Sequence, residues 1–539
     1  MNIEAINKQR EAVKEYLFDK GYEMYLRRED LLSLETYSDP KFVFLLSDLQ
    51  ANIIKPHGKQ CAVFAFITFQ NTLAKRKNLK KWLSELPLTN AMDQIATGKK
   101  SNTVHKDAMP PKPEAADLMA AYGNLLAANK NRSEYRKRNL EKGRLESKDA
   151  IDNPGNEVED QIILEELKKS GAVICFYISH AGYKYFGEEG HAFSRYDDTS
   201  AFVKGLAEGT GFGTEESNIE PEVELDENNN YQYDKVHAML MVAFDAEDAG
   251  GNSLANKTIE VKEKIEKSIS GFGNAFFETG YLNKDRTKDA SREWFGFKDG
   301  LSNPRFFPST GITGNSLNWE EPSKLDLVLR PDRGGPDSCG SFLVFMKLRQ
   351  DTDAFVLACK KLAVKLSKSE DYAGALLIGR HKDGTLLTKS EDKRNDDRRT
   401  FNYERDDLGL KCPFHAHIRK ANPRDGNSYR RIVRRGMLYD DSESNKGLLF
   451  MSFQGDLKLQ FEDLVNEWLF NPYYRGRDVG ADPILSKDAK YNRQYSKVWG
   501  KGGNLVPFSN DKPFVTFKGG LYFFAPSISY IKTTLGKYW

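Results

Sequence analysis

Two histidines set two residues apart, His415 and His417 in KCPFHAHIRKANPRD (411–425), stand out in a chain that has only eight. On a strand both imidazoles would share a face and could hold one first-row metal, whereas on a helix they would diverge by about 200°. The other six histidines, at 57, 105, 180, 191, 237 and 381, show no H-x-x-x-H or H-E-x-x-H spacing that would complete such a site. His57 and His381 lie in glycine-bearing turns, where exposed polar residues are expected, and His237 alternates into a strand as a core residue would. A single axial histidine is the other chemistry open to this segment, because haem iron needs one protein ligand and keeps its opposite face free. Asp299, between a lysine and a glycine in WFGFKDGLSNPRF (294–306), could hold a carboxylate at the rim of an apolar pocket. A plain Asp-Gly turn capping a strand reads the same way. Arg434 and Arg435 in RIVRRGMLYD (431–440) follow a short apolar step, as a pocket arginine or a solvated basic run would.

These residues need a frame. Apolar, β-branched and aromatic runs at 61–69, 172–179 and 236–244, then at 341–348, 448–454 and 521–526, predict core strands in both halves of the chain. Between them, Leu79, Trp82, Leu83 and Leu86 repeat at helical spacing up to Pro87, and Phe461, Leu464, Val465 and Trp468 do the same. Asp353 is the expected N-cap of a helix over 353–366. Strands and helices mixed in this way favour two α+β units over a barrel or a sandwich, with a seam near 305–335 where proline, glycine and serine gather. Residues 87–160 stand apart as a charged insertion with seven basic side chains between Lys130 and Arg144, read as a solvated helical decoration.

At 539 residues the chain exceeds what one core usually organises. Hydrophobic residues (39%) and charged residues (29%) are balanced as in folded domains. Lysine plus arginine (80) against aspartate plus glutamate (78) leaves +2, so no global field draws nucleic acid or anionic lipid. Five scattered cysteines without a C-x-x-C pair, a charged start and no run near about eighteen apolar residues lead to a cytoplasmic expectation.

Gly296-Phe297-Lys298-Asp299-Gly300 resembles the Gly-x-x-Asp-Gly motif of the dye-decolourising peroxidases, and AHIRKANPR (416–424) resembles that family's haem-ligand segment. DLQANIIKPHGK (48–59), LLIGRHKDGTLL (376–387), GLLFMSFQ and FKGGLYFFAPS resemble its other segments in the same order, over about residues 45 to 530. The resemblance implies an α+β fold of two ferredoxin-like domains, each with a four-stranded antiparallel sheet, around one b-type haem. The expected layout is an extension at 1–44, a first domain at 45–320 bearing the insertion, and a second at 321–539 carrying the haem ligand, as in the larger, insertion-bearing type.

By the same resemblance, His417 is the proximal ligand of the haem iron and His415 has no ligand role. Asp299 is the distal acid–base group and Arg434 the distal arginine, together handling hydrogen peroxide. Gly300 lies in the cofactor-binding turn. Leu448 and Phe450, two apart on a strand, line the peroxide pocket or are ordinary core. Arg419 is the expected partner of a haem propionate, and Asp511, with Glu462 behind it, the expected partner of the proximal imidazole. The implied activity is a haem peroxidase whose ferryl intermediate draws single electrons from dyes, phenols and similar aromatic donors, with Trp294 and Tyr439 the aromatic residues nearest the motifs. A haem-binding or iron-handling protein on the same scaffold and a non-haem His-x-His enzyme are the alternatives. Neither nucleic acid nor membrane is expected as a partner, and oligomeric state is open.

Overall fold

A computed structural model describes residues 45–97, 159–188, 198–212, 236–245, 251–282, 292–304, 306, 323, 325–335, 338–388, 403–424, 430–442, 444–474, 476–486 and 490–535. The 1–44 extension, most of the 87–160 insertion, the expected boundary at 320, His105 and His191 lie outside the described residues.

Strands β1 (Cys61–Phe69), β2 (Val173–Ser179), β3 (Ala238–Phe244) and β4 (Gly273–Tyr281) form an antiparallel sheet in the order β2-β3-β1-β4. The short β5 (Arg330–Pro331) lies on β6 (Cys339–Gln350), and β7 (Val433–Arg434) precedes β8 (Met437–Ser442) and β9 (Asn445–Gln454). Two small hairpins follow, β10 (Tyr473–Tyr474) with β11 (Arg477–Asp478) and β12 (Arg493–Ser496) with β13 (Leu505–Phe508), before the long β14 (Val515–Ala525). Here β6, β8, β9 and β14 pair in the order β8-β9-β6-β14, so each set of four repeats the order 2-3-1-4 of a ferredoxin-like α+β unit.

The two sheets also meet at their edges. Phe523 and Phe524 of β14 pair with Ser179 and Ile178 of β2, and Tyr281 of β4 pairs with Leu438 of β8. Eight strands therefore close into one hydrogen-bonded ring, where two α+β units without a barrel were expected. Closure leaves those edge groups paired rather than open to another chain.

Alternation along the strands divides the core. Ala62, Phe64 and Phe66 of β1 face the ring interior with Tyr177, Phe345 and Phe523, while Val63, Ala65 and Ile67 face outward beneath helices. Over that outer face lie α1 (Leu73–Glu85), which buries Leu79, Trp82 and Leu83, and α2 (Gly251–Ile269), which contributes Val261, Ile265 and Ile269. The next helix, α3 (Thr352–Leu366), is capped by Asp351, whose side chain accepts from Ala354 N at 2.8 Å. The expected cap, Asp353, sits inside the first turn, where its charge still favours the helix dipole. Then come α4 (Glu370–Ile378), the single-turn α5 (His417–Ala421), a π-wound segment over Leu457–Glu462 and Leu464–Leu469, and α6 (Ile528–Thr533).

The residues Asp48, Gln50 and Asn52 brace the place where the sheets join. Gln50 Nε2 donates to Phe176 O (2.8 Å) on β2 and to Pro526 O (2.7 Å) after β14, while its Oε1 accepts from Phe176 N. Asp48 accepts from Ser529 N (2.6 Å) in α6 and from the hydroxyls of Ser529 and Ser338. Beside it, Asp332 accepts from Ser527 N, Ser527 Oγ and Gly334 N. Two carboxylates thus serve the start of α6, and burial, reinforced by the charge of Asp48 and opposed by those N–H donors, raises the Asp332 carboxyl to about 6. A carboxyl raised by folding contributes stability that is complete below its unfolded value near 3.8 and is lost as pH rises through about 6. Urea midpoints measured against pH should therefore fall between about 4 and 6 for wild type relative to Asp332→Asn. Parallel curves for the two proteins would refute this.

Candidate functional site

The His417 ring is placed by a close packing of two helix ends. Gly379, which ends α4 at φ +101°, lies so near α5 that a Cβ there would come within 2.5 Å of Ile418 Cγ1. His417 opens α5 and places Nδ1 2.7 Å from Asp482 Oδ2. The other carboxylate oxygen, Oδ1, accepts from Ile484 N (2.7 Å) and Leu485 N (2.8 Å). Asp482 is fully buried, which by itself raises its carboxyl; the His417 charge, its hydrogen bond and the two N–H groups outweigh burial and bring the net pKa below the usual value. The ionised carboxylate takes the Nδ1 proton as its hydrogen bond, so the lone pair is on Nε2, which has no partner among the described residues. A ring with its tautomer set by a carboxylate and its far nitrogen free is the arrangement of a metal-ligating histidine.

The outer face of the second sheet carries apolar rows that follow from the register. Leu448 pairs with Leu348, which pairs with Phe517; Phe450 pairs with Met346, which pairs with Gly520. Ile418, Ala421, Leu448, Phe450 and Phe517 are only half-buried. Arg434 pairs with Ser452, two residues beyond Phe450, so its side chain rises on that same face. Arg435 must then point the other way. It does: buried in the ring interior, it donates to Asn52 O (2.7 Å), Ile53 O (2.8 Å) and Arg434 O (2.9 Å), and burial lowers its pKa to about 9.

Asp299 is half-buried in the loop that crosses Arg434, with Oδ1 accepting from Gly300 N at 2.6 Å. Gly300 takes φ +74° and is exposed, so it shapes the turn. Arg434 is stitched to the residues that follow: Nη2 donates to Leu301 O (2.8 Å), and its backbone N–H and carbonyl both bond the Asn303 side chain (2.9 Å each). The structure thus brings Asp299 and Arg434 to one rim without a direct ion pair between them among the described residues.

Three further arginines gather there, and the sequence reading missed them. Arg380 and Arg424 both donate to Ser302 Oγ (3.0 and 2.9 Å), and Arg431 approaches Ser302 O (3.4 Å). Burial, then repulsion from Arg424 and Arg434 against an opposing contribution from Tyr403, lowers Arg380 to about 10. Such a concentration of guanidinium groups is suited to anionic carboxylates. A signal existed, since Arg380 and Arg424 lie inside the quoted motifs, but four residues from three distant segments meet only in the fold.

Several expectations are corrected. Arg419 is not at the site: two residues on from His417 in a helix, it points to the opposite side, fully buried, with Nη1 2.8 Å from Asp406 Oδ2 and its plane between Tyr403 and Phe414. Asp511 is an exposed partner of Lys361, and Glu462 accepts from Tyr522 OH at 3.2 Å; Asp482 is the imidazole's partner. His415 precedes the helix, is buried edge-on against Tyr495 (4.7 Å) and bonds Val479 O through Nδ1, and burial with the charge of Arg493 holds its pKa well below the usual value. It is a neutral core histidine whose Nδ1 is taken up by a backbone carbonyl. His381 is likewise buried rather than exposed. Among the described residues there is no cluster of three or more His, Cys, Asp or Glu that could hold a metal ion. Trp294 donates Nε1 to Tyr439 O (3.2 Å) and Gly447 O (3.1 Å), with Tyr439 itself fully buried.

The two adjacent arginines should separate cleanly. Arg435→Met orphans buried carbonyls, at about 1–3 kcal/mol for an unsatisfied group, and should lower unfolding free energy by at least about 2 kcal/mol in urea. Arg434→Met, on the exposed side, should change it by less than about 1 kcal/mol. Equal losses would contradict the division of roles.

Residues 362–474 match the family model described as Dyp-type peroxidase, C-terminal. The chain is 34% identical over 281 residues to the multifunctional dye peroxidase DyP2 of Amycolatopsis sp., covering 45% of this chain and 60% of that one. It is 28% identical over 333 residues to Peroxidase 2 of Mycetinis scorodonius, covering 52% and 64%. It therefore spans less than two thirds of the length of these curated relatives. Among solved structures, a DyP-type peroxidase of Anabaena sp. superimposes with a TM-score of 0.68 at 25% identity, over 92% of this chain and 96% of that one. The Amycolatopsis DyP2 structure shares the fold at a TM-score of 0.63 and 23% identity, over 90% and 96%. In motif order, strand topology and these likenesses, the chain is similar to the Dyp-type peroxidases, and the family model itself matches its residues 362–474.

Proposed function

We propose that the protein is a haem peroxidase that reduces hydrogen peroxide and oxidises aromatic donors such as dyes and phenols, one b-type haem being bound per chain. The observation that carries this reading is the His417–Asp482 pair at 2.7 Å, which leaves Nε2 without a partner among the described residues. The residues fit the group. His417 Nε2 would ligate the iron, Ile418, Leu448 and Phe450 would meet the macrocycle or the space beside it, and the arginines around Ser302 would pair with its propionates. Bound haem supplies a redox-active iron that accepts peroxide and passes oxidising equivalents to donors one electron at a time.

The protein's own groups do the rest. Asp482, ionised and fixed by two backbone N–H groups, draws on the Nδ1 proton and makes the imidazole a stronger electron donor. Asp299 is the only carboxylate we assign to the distal rim, where it would accept a proton from one peroxide oxygen and return it to the other as the bond breaks. The guanidinium of Arg434 would stabilise the negative charge that develops on the departing oxygen. Its hydrogen bonds to Leu301 and Asn303 leave it little freedom, so that charge is in place beforehand. The apolar wall of Leu448 and Phe450 would keep bulk water and large molecules from the oxygen atoms. The setting we propose is cytoplasmic, supported by five buried cysteines, none of them in a disulfide.

The test is a titration of the protein with haem, followed by one equivalent of peroxide. His417→Ala should lose the histidine-ligated ferric spectrum while His415→Ala keeps it. Asp299→Asn and Arg434→Leu should bind haem normally and react with peroxide on the order of 100-fold more slowly. Haem binding by His417→Ala that is indistinguishable from wild type would sink the proposal.

A further inference from the structure

The distal loop folds around a single half-buried carboxylate that no motif draws attention to. Glu293 Oε2 accepts from Phe295 N (2.8 Å) and from Gln350 Nε2 (2.7 Å), and its Oε1 accepts from Phe297 N (2.8 Å). The backbone closes on itself around this side chain: Glu293 N donates to Phe297 O (3.1 Å), and Gly296 N donates to Glu293 O (2.8 Å). Gly296 takes φ +90° to make the turn. From outside, Arg292 Nη1 bonds Gly296 O and Lys382 O, and Lys298 N bonds Lys382 O (3.1 Å). Phe295 and Phe297 then plug the loop into the helical layer, stacked on and edge-on to Phe355 at 4.4 and 6.0 Å. Asp299 is two residues beyond the last N–H that Glu293 holds.

We infer that Glu293 is the positioning residue of the distal carboxylate, fixing where Asp299 sits by accepting both amide protons of the preceding turn and anchoring that turn to the end of β6 through Gln350. This rests on the reading of Asp299 as the distal acid–base group. The physical reason for a carboxylate is specific. Two converging backbone N–H groups and an amide N–H need three acceptor lone pairs in one place, and only an ionised carboxyl presents them without a competing donor. A glutamine here would turn its own NH2 against one of those donors and leave a buried N–H unpaired. Burial raises the Glu293 pKa, with the N–H donors and Gln350 opposing and the charge of Asp299 adding, consistent with two acids sharing one loop.

A double-mutant cycle tests the inference on the haem-loaded protein, using Glu293→Gln, Asp299→Asn and the double variant, with peroxide consumption by stopped flow and amide exchange at Phe295 and Phe297. Glu293→Gln should expose both amides to faster exchange and slow the peroxide reaction by about 100-fold, the loss typical of a misplaced reacting group. In the Asp299→Asn background the same substitution should cost no more than about twofold, because there is no longer a carboxylate to misplace. Gln350→Ala, which leaves both backbone bonds intact, should give a smaller loss with the same dependence on Asp299. An equal slowing in both backgrounds, or a Glu293→Gln rate within about twofold of wild type, overturns the inference. A wild-type rate in Asp299→Asn alone overturns the distal reading itself, and the inference with it.

Discussion

The site is built on one hydrogen bond, from the His417 imidazole to the buried carboxylate of Asp482. An aspartate with no solvent exposure carries a large desolvation cost unless its lone pairs are filled, and Asp482 fills them with one imidazole and two backbone N–H groups. That requirement fixes the imidazole tautomer, which fixes the nitrogen left to coordinate, which in turn fixes the side of the sheet on which a cofactor would lie. It also explains why His415 cannot substitute. Its ring is held neutral in an apolar setting against Tyr495, tied to a carbonyl that accepts a proton but adds no charge.

The second constraint is geometric. Because the eight strands close into a ring, each strand residue is committed either to the packed interior or to the outer face, and neighbouring arginines receive opposite duties. Arg435 becomes a clamp holding Asn52 and Ile53, and Arg434 becomes available to the outer face. The Asp48–Gln50–Asn52 stretch has a matching role, since its side chains bind β2, the end of β14, α6 and the interior at one corner. A stretch recognisable by its resemblance to a catalytic family is here mostly a brace, and its chemistry is that of satisfying buried donors and acceptors.

Much of this was legible in the amino-acid order, and the failures have physical causes. The six apolar runs are strands that put apolar residues both inside the ring and on its outer face, and of these residues only Leu448, Phe450 and Leu521 are half-buried, so continuous hydrophobicity was the right signal. Strands β4 and β8 escaped notice: GNAFFETGY is largely half-buried, and MLYDDS ends in three exposed residues, so neither carries a long apolar run. His417, Asp299 and Arg434 drew attention because they are embedded in motifs. Asp482 was not, since it lies 65 residues from its imidazole and only tertiary contact joins them. Arg419 misled because motif membership says nothing of direction, and two steps along a helix reverse the side on which a residue projects.

The most direct test is the iron–histidine stretching frequency of the ferrous, haem-loaded protein, compared between wild type and Asp482→Asn. If Asp482 polarises the ring of the ligand, the neutral amide should weaken the iron–nitrogen bond and move the band to lower frequency. A band at the same frequency in both proteins, or none in wild type, would contradict the assignment of His417 and Asp482 as the pair on which the site is built.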